Sequence, residues 1–482
     1  MPLHALAVDL HLQIEFAIFK YWRKLLFKSF IIEQFRCFGA AQTLKFSEPV
    51  AGKPGSGITY VVGENNSGKT TVLEGLFFKA SDTIKSSDKR ASGLKFTLES
   101  IDSNQQTRNR VVSLVRETSY SLGETEELAA DQRFEIVQSR RGWKSNVTQK
   151  ANQDIIINQA LQIETPRKDS GFQIAGFLRD VESNADSYDK YTALVKRVLP
   201  DFHFFAVGND EHEFIEYQTK GGQRHKSDLL GDGVVSVLRI LAHIFAEKKN
   251  PLVIDEPELS LHPKAQRRLL QIIAEVAMHR QIIVSTHSPN LVSWECIQNG
   301  AALNRVHKLN GADSKISSLR AYASYKALIS GANWQQPFLM DVVAKEIFFN
   351  DDILFVEGQE DVGLLGNDGT LNSSVNIFGY GVRGKNAFVI ALNLARDLGL
   401  SKAAVVLDGG AAETKIKVAL EKEFHEVGFG IFQWNREDIR DKEPFEARAK
   451  IGYFKKNGCK KEVDDLDDFD KKIQAINQYF ES

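Results

Sequence analysis

The sequence predicts an α/β protein of two domains, and three stretches carry that expectation. The apolar run "GITYVVG" leads through a glycine-rich loop into a helix that starts near Thr70. Two more apolar strands, "PLVIDE" and "QIIVSTHS", are separated by a helix through "PKAQRRLLQIIAEVAMHR". Near Phe349 a new rhythm begins: strand "DILFVEG", a helix, strand "SVNIFG", helix "NAFVIALNLARDLG" and strand "AAVVLD". Strands alternating with helices imply parallel sheets with helices on both faces.

Length and composition agree with this division. A chain of 482 residues and 54.1 kDa holds two or three domains that each bury a core. Hydrophobic content of 43% and charged content of 26% are those of an ordinary soluble protein. With a formal charge of −2, any DNA contact must come from local basic patches. Cys37, Cys296 and Cys459 form neither a disulfide framework nor a zinc cluster, which suits a reducing cytoplasm.

Taken in chain order, "LHALAVDLHLQIEFAIFKYW" is apolar, but Asp9 and Glu15 lie inside it and it lacks a basic leader or cleavage site. Neither a membrane span nor a signal peptide is expected; the alternation of Leu10, Leu12, Ile14, Phe16 and Ile18 reads as an edge strand. "FKSFIIEQFRCFG" and "QTLKF" read as two short strands. Residues 81–226 are polar, with strand-like "RVVSLVRE" and "RFEIVQS" and helical "YDKYTALVKRVL", and are expected to form a mixed insertion or dimerisation region. "SGANWQQPFLMDVVAKEIFFN" reads as the connection, placing one domain in residues 1–345 and a smaller one in 346–482. The final "KKNGCKKEVDDLDDFDKK", a basic block then an acidic one, reads as a solvated surface or tail.

"GENNSGKT", Gly63 to Thr70, fits the full GxxxxGK[ST] pattern between a strand and a helix. Backbone N–H groups of Gly63, Asn65, Asn66, Ser67 and Gly68, with Thr71 in the helix behind them, would wrap the phosphates of ATP. Lys69 would reach the β- and γ-phosphates, and the Thr70 hydroxyl would ligate Mg²⁺. In "PLVIDEPELSLHP" a buried strand ends in Asp255, suited to the Mg²⁺ shell, and Glu256, suited to activating water. His287 ends the next strand, where an imidazole could contact the γ-phosphate. A chance glycine-rich turn and an acidic helix cap are the plainer readings. Neither explains why the Asp–Glu strand pairs with a phosphate loop far upstream.

The second rhythm carries acids of its own. Glu357 ends the strand in "LFVEGQEDVGLL", Asp361 follows at a helix start, and Asp408 ends the strand in "VVLDGG". Open α/β sheets bind ligands in the crevice at such strand ends. A phosphodiester-cutting site would want a second carboxylate two residues after Asp408, where this chain has Gly410. Glu413 and the later Glu437, Asp438 and Asp441 are candidate replacements, with Lys442 a candidate transition-state cation. Arg383 or Lys385 in "GYGVRGKNAF" could face a phosphate, or form an exposed basic loop.

"GENNSGKT", "DEPELSLHP" and "STHSPN" resemble the ABC-type ATPase heads of the SMC and RecF kind, and especially the OLD-family defence ATPases. The resemblance implies a signature loop touching ATP from the opposite subunit, for which "LLGDGVVSVLRIL" with Gly231 and Gly233 is the best candidate, although the usual serine is absent. It also implies a homodimer or higher homo-oligomer. The downstream acids resemble a TOPRIM domain, and an ABC-type head followed by TOPRIM is the OLD-family layout. Motif by motif the likeness covers about half the chain. It implies a DNA endonuclease using Mg²⁺ or Mn²⁺ held by Glu357, Asp361, Asp408 and an acid such as Asp438, in a bacterial antiphage effector with no membrane attachment. Defence partners such as a helicase, or a retron reverse transcriptase and its RNA, fit the same resemblance. The other reading is a dimeric ATPase sensor whose degenerate TOPRIM domain serves as a docking platform, favoured only by Gly410.

Overall fold

A computed structural model describes residues 25–77, 94–102, 105–116, 119–122, 134–137, 174–209, 213–222, 224–226, 232–246, 250–309, 313–320, 325, 343–369, 371–373, 375–379, 381–382, 384–442, 450–462 and 467–482. The expected N-terminal edge strand, Gly231, Arg383 and most of the expected inter-domain connection lie outside them. The chain divides into two compact units, Met1–Val61 with Gly68–Ala302, and Val62–Ser67 with Leu303–Ser482.

In the first unit the strands are β1 (Leu25–Glu33), β2 (Gln42–Lys45), β3 (Ile58–Val62), β4 (Lys95–Asp102), β5 (Thr107–Arg116), β6 (Ser119–Leu122), β7 (Glu135–Val137), β8 (Phe202–Asn209), β9 (Glu213–Thr219), β10 (Arg224–Lys226), β11 (Leu252–Asp255) and β12 (Ile282–Ser285). Its helices are α1 (Lys69–Leu76), α2 (Ile174–Glu182), α3 (Ala185–Val198), α4 (Asp232–Phe245), α5 (Pro263–Val276) and α6 (Trp294–Asn299). β7, β11, β12 and β3 lie side by side, all parallel. Every residue of β3 and β12 is buried, which explains why these strands are continuous apolar runs rather than alternating ones. A separate antiparallel sheet has the order β2-β1-β4-β5-β6. Gln281 pins its first strand: the side-chain amide donates to Phe27 O at 2.8 Å and Ser47 O at 2.9 Å and accepts from Phe27 N at 3.0 Å.

The described strands within residues 81–226 join the sheets of the first unit or form a small sheet of their own. β4 and β5 complete the antiparallel sheet, and β7 extends the parallel one. Burial drives this threading. Phe134 stacks on Phe27 at 4.6 Å, and the buried Glu135 pairs with Arg280 at 3.0 Å. Tyr191 of α3 donates to Leu238 O of α4 at 2.7 Å, while β8, β9 and β10 form a small antiparallel sheet.

The second unit contains the antiparallel pair β13 (Ala302–Leu309) and β14 (Asp313–Ser318), followed by β15 (Asp352–Phe355), β16 (Lys402–Leu407) and β17 (Gly430–Gln433). The last three form a parallel sheet in chain order. Helices α7 (Gln359–Asp368), α8 (Phe388–Asp397), α9 (Ala411–Phe424) and α10 (Asp467–Glu481) accompany it. The expected strand "SVNIFG" is reduced to a parallel bridge, Leu354 with Ile377, where Leu354 N donates to Asn376 O at 2.7 Å. β13 belongs to this unit because Arg305 is fully buried in it, donating to Asn350 O at 2.6 Å and Leu398 O at 3.2 Å. Apart from Val62–Ser67, the compact unit begins at Leu303, whereas the sequence places its domain boundary at 345.

The C-terminal charged block is a solvated surface on a packed helix rather than a tail. From Asp467 it forms α10, whose Phe469, Ile473, Ile476 and Phe480 are buried in the core of the unit. Phe469 stacks on Trp434 at 5.3 Å. The charges occupy the opposite face, and the spacing of four, three and four is that of an amphipathic helix.

Candidate functional site

The phosphate loop owes its shape to left-handed residues at Gly63 (φ 139°), Asn66 (φ 62°) and Gly68 (φ 114°). Such alternation folds successive N–H groups into an anion-binding concavity. At Gly63 only glycine fits, since a Cβ would lie 2.0 Å from Val306 O. Gly68 caps α1, so the loop ends on a helix N-terminus. Asn65, Asn66 and Thr70 are exposed, whereas Ser67, Lys69 and Thr71 are buried.

The sheet brings the upstream and downstream motifs together. Lys69 Nζ lies 3.4 Å from His287 Nδ1, and His287 Nε2 lies 3.3 Å from Glu256 Oε1. One imidazole thus bridges the phosphate lysine and the expected general base. Glu256 has φ 46°, a left-handed conformation costing on the order of 1–3 kcal/mol for a residue with a side chain. It follows the last residue of β11, and its N–H donates to Ser285 O at 2.9 Å. Burial, then the Glu256 carboxylate, push Asp255 up to about 6; Glu258 adds to this, and Ser285 and Lys69 oppose it. Asp255 Oδ1 is buried without a hydrogen-bond partner. An orphaned carboxylate oxygen near a phosphate lysine suits a Mg²⁺ shell.

Sequence reasoning missed Glu258. Its Oε1 accepts from His287 N at 2.6 Å, while its Oε2 is buried without a partner. Burial raises its proton affinity, opposed by the His287 N–H. The signal was present in "DEPELS", where an acid follows the Asp–Glu pair within the same turn. Gly233, expected to approach a partner's ATP, lies in the first turn of α4. A Cβ there would meet Ser260 O of its own unit at 2.4 Å, so close packing accounts for this glycine.

The second unit gathers the other acids. Glu357 follows β15, Asp361 lies in the first turn of α7, Asp408 follows β16, and Asp438 lies beyond β17. Asp361 accepts from Gly358 N at 2.8 Å, which fixes its side chain across the helix start. Burial, then Asp438 and Glu357, push Asp361 up to about 6 against the Gly358 bond. Burial, then Asp361, Asp438 and Glu357, push Asp408 up to about 8, with Lys450 opposing. Burial, then Glu413, also raise Glu357. Asp438 is buried, with Lys442 at 2.8 Å and Lys450 at 3.2 Å.

Among the candidate replacements, Asp441 is engaged elsewhere, accepting from Gly452 N at 2.9 Å and pairing with Lys461 at 2.8 Å. Glu413 is different. A Cβ on Gly410 would lie 2.0 Å from Glu413 Oε2, and Glu413 Oε1 pairs with Lys385 Nζ at 2.6 Å. The Glu413 carboxylate fills the space a side chain at 410 would take. Carboxylate oxygens are the donor type a hard divalent cation takes, and acids that repel one another lose that repulsion around positive charge. Among the described residues no group of three or more His, Cys, Asp or Glu side chains is placed to hold a metal ion as it stands.

Residues 58–293 match a family model described as "AAA domain, putative AbiEii toxin, Type IV TA system". The matched span contains the phosphate loop, Asp255, Glu256 and His287. It supports an ATPase built on an AAA domain. The fold is similar to the SMC head domain from Thermotoga maritima, at 16% identity over 61% of this chain and 99% of that one, with a TM-score of 0.38. It is also similar to an Smc head domain with an extended coiled coil, bound to the C-terminal domain of ScpA and derived from Pyrococcus furiosus. That likeness is 12% identical over 64% of this chain and 100% of the other, with a TM-score of 0.42. Both scores lie below 0.5, so the ATPase assignment rests on the matched family and the loop geometry. No curated protein matches the chain. No helix among the described residues is long and apolar enough to cross a membrane.

Proposed function

We propose that this chain is an ATP-binding and ATP-hydrolysing, divalent-metal-dependent DNA endonuclease of the OLD kind, a cytoplasmic antiphage effector acting as a homodimer or larger homo-oligomer. The observation that carries the reading is the cluster of Glu357, Asp361, Asp408 and Asp438, in which Asp408 is pushed up to about 8. Among the described residues, three of these acids, Glu357, Asp361 and Asp408, lie at the carboxyl ends of one parallel sheet without the lysine pairing that Asp438 has, and bound positive charge would relieve their repulsion. They lie where open α/β sheets take ligands.

In the ATPase unit, Lys69 neutralises the β- and γ-phosphates. Thr70 and Asp255 would hold Mg²⁺. Glu256 accepts the proton of the attacking water, and His287, set between Glu256 and Lys69, orients both. In the second unit Glu357, Asp361 and Asp408 would hold divalent cations, with Asp438 and Glu413 supporting. Two such ions supply stabilisation of both the attacking and the leaving oxygen of a phosphodiester. Lys442 and Lys450, held by Asp438, place positive charge beside the cluster.

The test is plasmid nicking by purified protein with Mg²⁺ or Mn²⁺, with and without ATP. Asp408→Ala should raise the metal concentration needed, and Glu357→Ala should abolish cleavage, with ATP turnover retained in both. Wild-type protein that nicks under no metal would move the chain to a sensor whose second unit only docks a partner. Plaque formation on cells expressing the wild type or Glu357→Ala tests the antiphage role, which fails if both protect equally.

A further inference from the structure

The phosphate loop does not pack as one piece. Its first half, Val62–Ser67, belongs to the unit that carries the acid cluster. Gly63 lies against Val306 O of β13, and Ser314 Oγ of β14 donates to Ser67 O at 2.6 Å. Between these points, the exposed Glu64 carboxylate accepts the backbone N–H of Asp351, is repelled by the Asp351 and Asp352 carboxylates and lies in the field of Arg305.

Arg305 is fully buried and ties four places together. Its Nη2 donates to Asn350 O at 2.6 Å and pairs with the Asp351 carboxylate. Its Nη1 donates to Leu398 O at 3.2 Å and Gly399 O at 3.4 Å. Residues 350–351 lead directly into β15, which ends before Glu357; residues 398–399 lead into β16, which ends before Asp408. Asp351 O completes the tie, accepting from Ser401 N at 2.9 Å and Lys402 N at 3.3 Å. One buried guanidinium and one aspartate therefore hold the entry of both strands that deliver the acids. The strands have four and six residues, roughly 13–20 Å of stiff, hydrogen-bonded chain.

We propose that nucleotide occupancy of the phosphate loop is transmitted to the acid cluster within a single chain, through Glu64 to Arg305 and Asp351 and along β15 and β16. The inference rests on the cluster being the reacting site and names the device that regulates it. Phosphates drawn into the loop N–H groups reposition the loop residues between Gly63 and Ser67, Glu64 among them. A carboxylate that moves there pulls on the Asp351 N–H and the Arg305 charge together. The strand entries then shift as a pair, altering the spacing of Glu357 and Asp408. By reciprocity, metal filling the acid site changes nucleotide affinity by the same factor.

Hydrogen exchange of the full chain in Mg²⁺, with and without a saturating non-hydrolysable ATP analogue, reads this link without any nuclease assay. The amides of residues 350–358 and 402–408 should change exchange rate by about fivefold or more on nucleotide binding, the lower end of ordinary coupling factors. Glu64→Ala, with saturation checked by fluorescent nucleotide, should lose that response. Asp351→Ala, which leaves the loop sequence untouched, should lose it as well and serves alone if Glu64→Ala cannot be saturated. Unchanged exchange in saturated wild type overturns the proposal. So does a response that persists in a saturated variant, because a change caused by head dimerisation survives both substitutions. Exchange that responds in a protein that never nicks DNA keeps the link and removes the nuclease reading. Nicking without the exchange response removes only the link.

Discussion

Placing an aspartate at Gly410 tests whether the acid site has lost a ligand or already replaced it. Gly410 has φ −81° and ψ 160°, ordinary extended backbone, so any L residue is conformationally allowed. The obstacle is the Glu413 carboxylate, 2.0 Å from the added Cβ. Ordinary contact needs about 3.5 Å, so Glu413 must retreat by about 1.5 Å. That retreat stretches or breaks its 2.6 Å pairing with Lys385. Two carboxylates held about 4 Å apart repel by about 4 kcal/mol at an effective dielectric near 20. Asp in place of Gly at the N-cap of α9 returns only about 0.3 kcal/mol. Part of the remainder is relieved by rotation or proton uptake. We expect Gly410→Asp to lower nicking by roughly ten- to a hundredfold, about 1.4–2.8 kcal/mol in transition-state terms. Gly410→Ala, which displaces Glu413 without adding charge, should show the steric part alone. Glu413→Ala should restore activity to the Gly410→Asp background while lowering it in the wild type, a double-mutant coupling of opposite sign to simple loss. The assay is plasmid nicking across a Mg²⁺ and Mn²⁺ titration, with ATP turnover as control. Cleavage by Gly410→Asp at or above wild type, with Glu413 intact, would refute the reasoning.

Other outcomes follow from the same geometry. Lys69→Ala should lose nucleotide affinity, read by fluorescent nucleotide titration, because it removes the buried cation aimed at the phosphates. Glu256→Gln should keep ATP bound and stop turnover, and ATP-dependent compaction in small-angle scattering should persist; absence of compaction counts against the paired-head arrangement. In EDTA, melting of the second unit should rise as pH falls from 8 toward 5. The Asp408 carboxyl moves from 3.8 to about 8 on folding, so the folded state binds the proton more tightly and stability is lost as pH rises through that window. Asp408→Asn should flatten the slope, and an unchanged slope would assign it to other groups. Phe469→Ala should cost about 3–5 kcal/mol in denaturant unfolding, because it empties a ring site packed by Trp434, Tyr453 and Phe454.

Local chemistry made part of this protein readable from sequence alone. The phosphate loop depends on glycines at fixed offsets, and β3, β11 and β12 depend on short apolar runs, so both could be read without knowing any distant contact. The acids Asp255, Glu357 and Asp408 were legible for the same reason: each directly follows or ends an apolar strand. The C-terminal helix was missed because charge dominates "DDLDDFDKK", although Phe469, Ile473, Ile476 and Phe480 share one face. Within residues 81–226, read as an insertion or dimerisation region, the sheet membership of β4, β5 and β7 leaves no local mark because pairing joins distant stretches of chain; Phe134 and Glu135 find their partners only in the folded unit.

The tertiary structure decided everything that depends on side chains meeting from far apart. Glu258 joins the nucleotide site only because β11 and β12 run parallel, bringing its carboxylate to His287. Glu413 fills the gap at Gly410 only because α9 begins there and turns that side chain back over its own N-terminus. Sequence supplied the types and order of these groups. Their distances come from packing, and it is distance that sets the strength of every charge interaction in both sites.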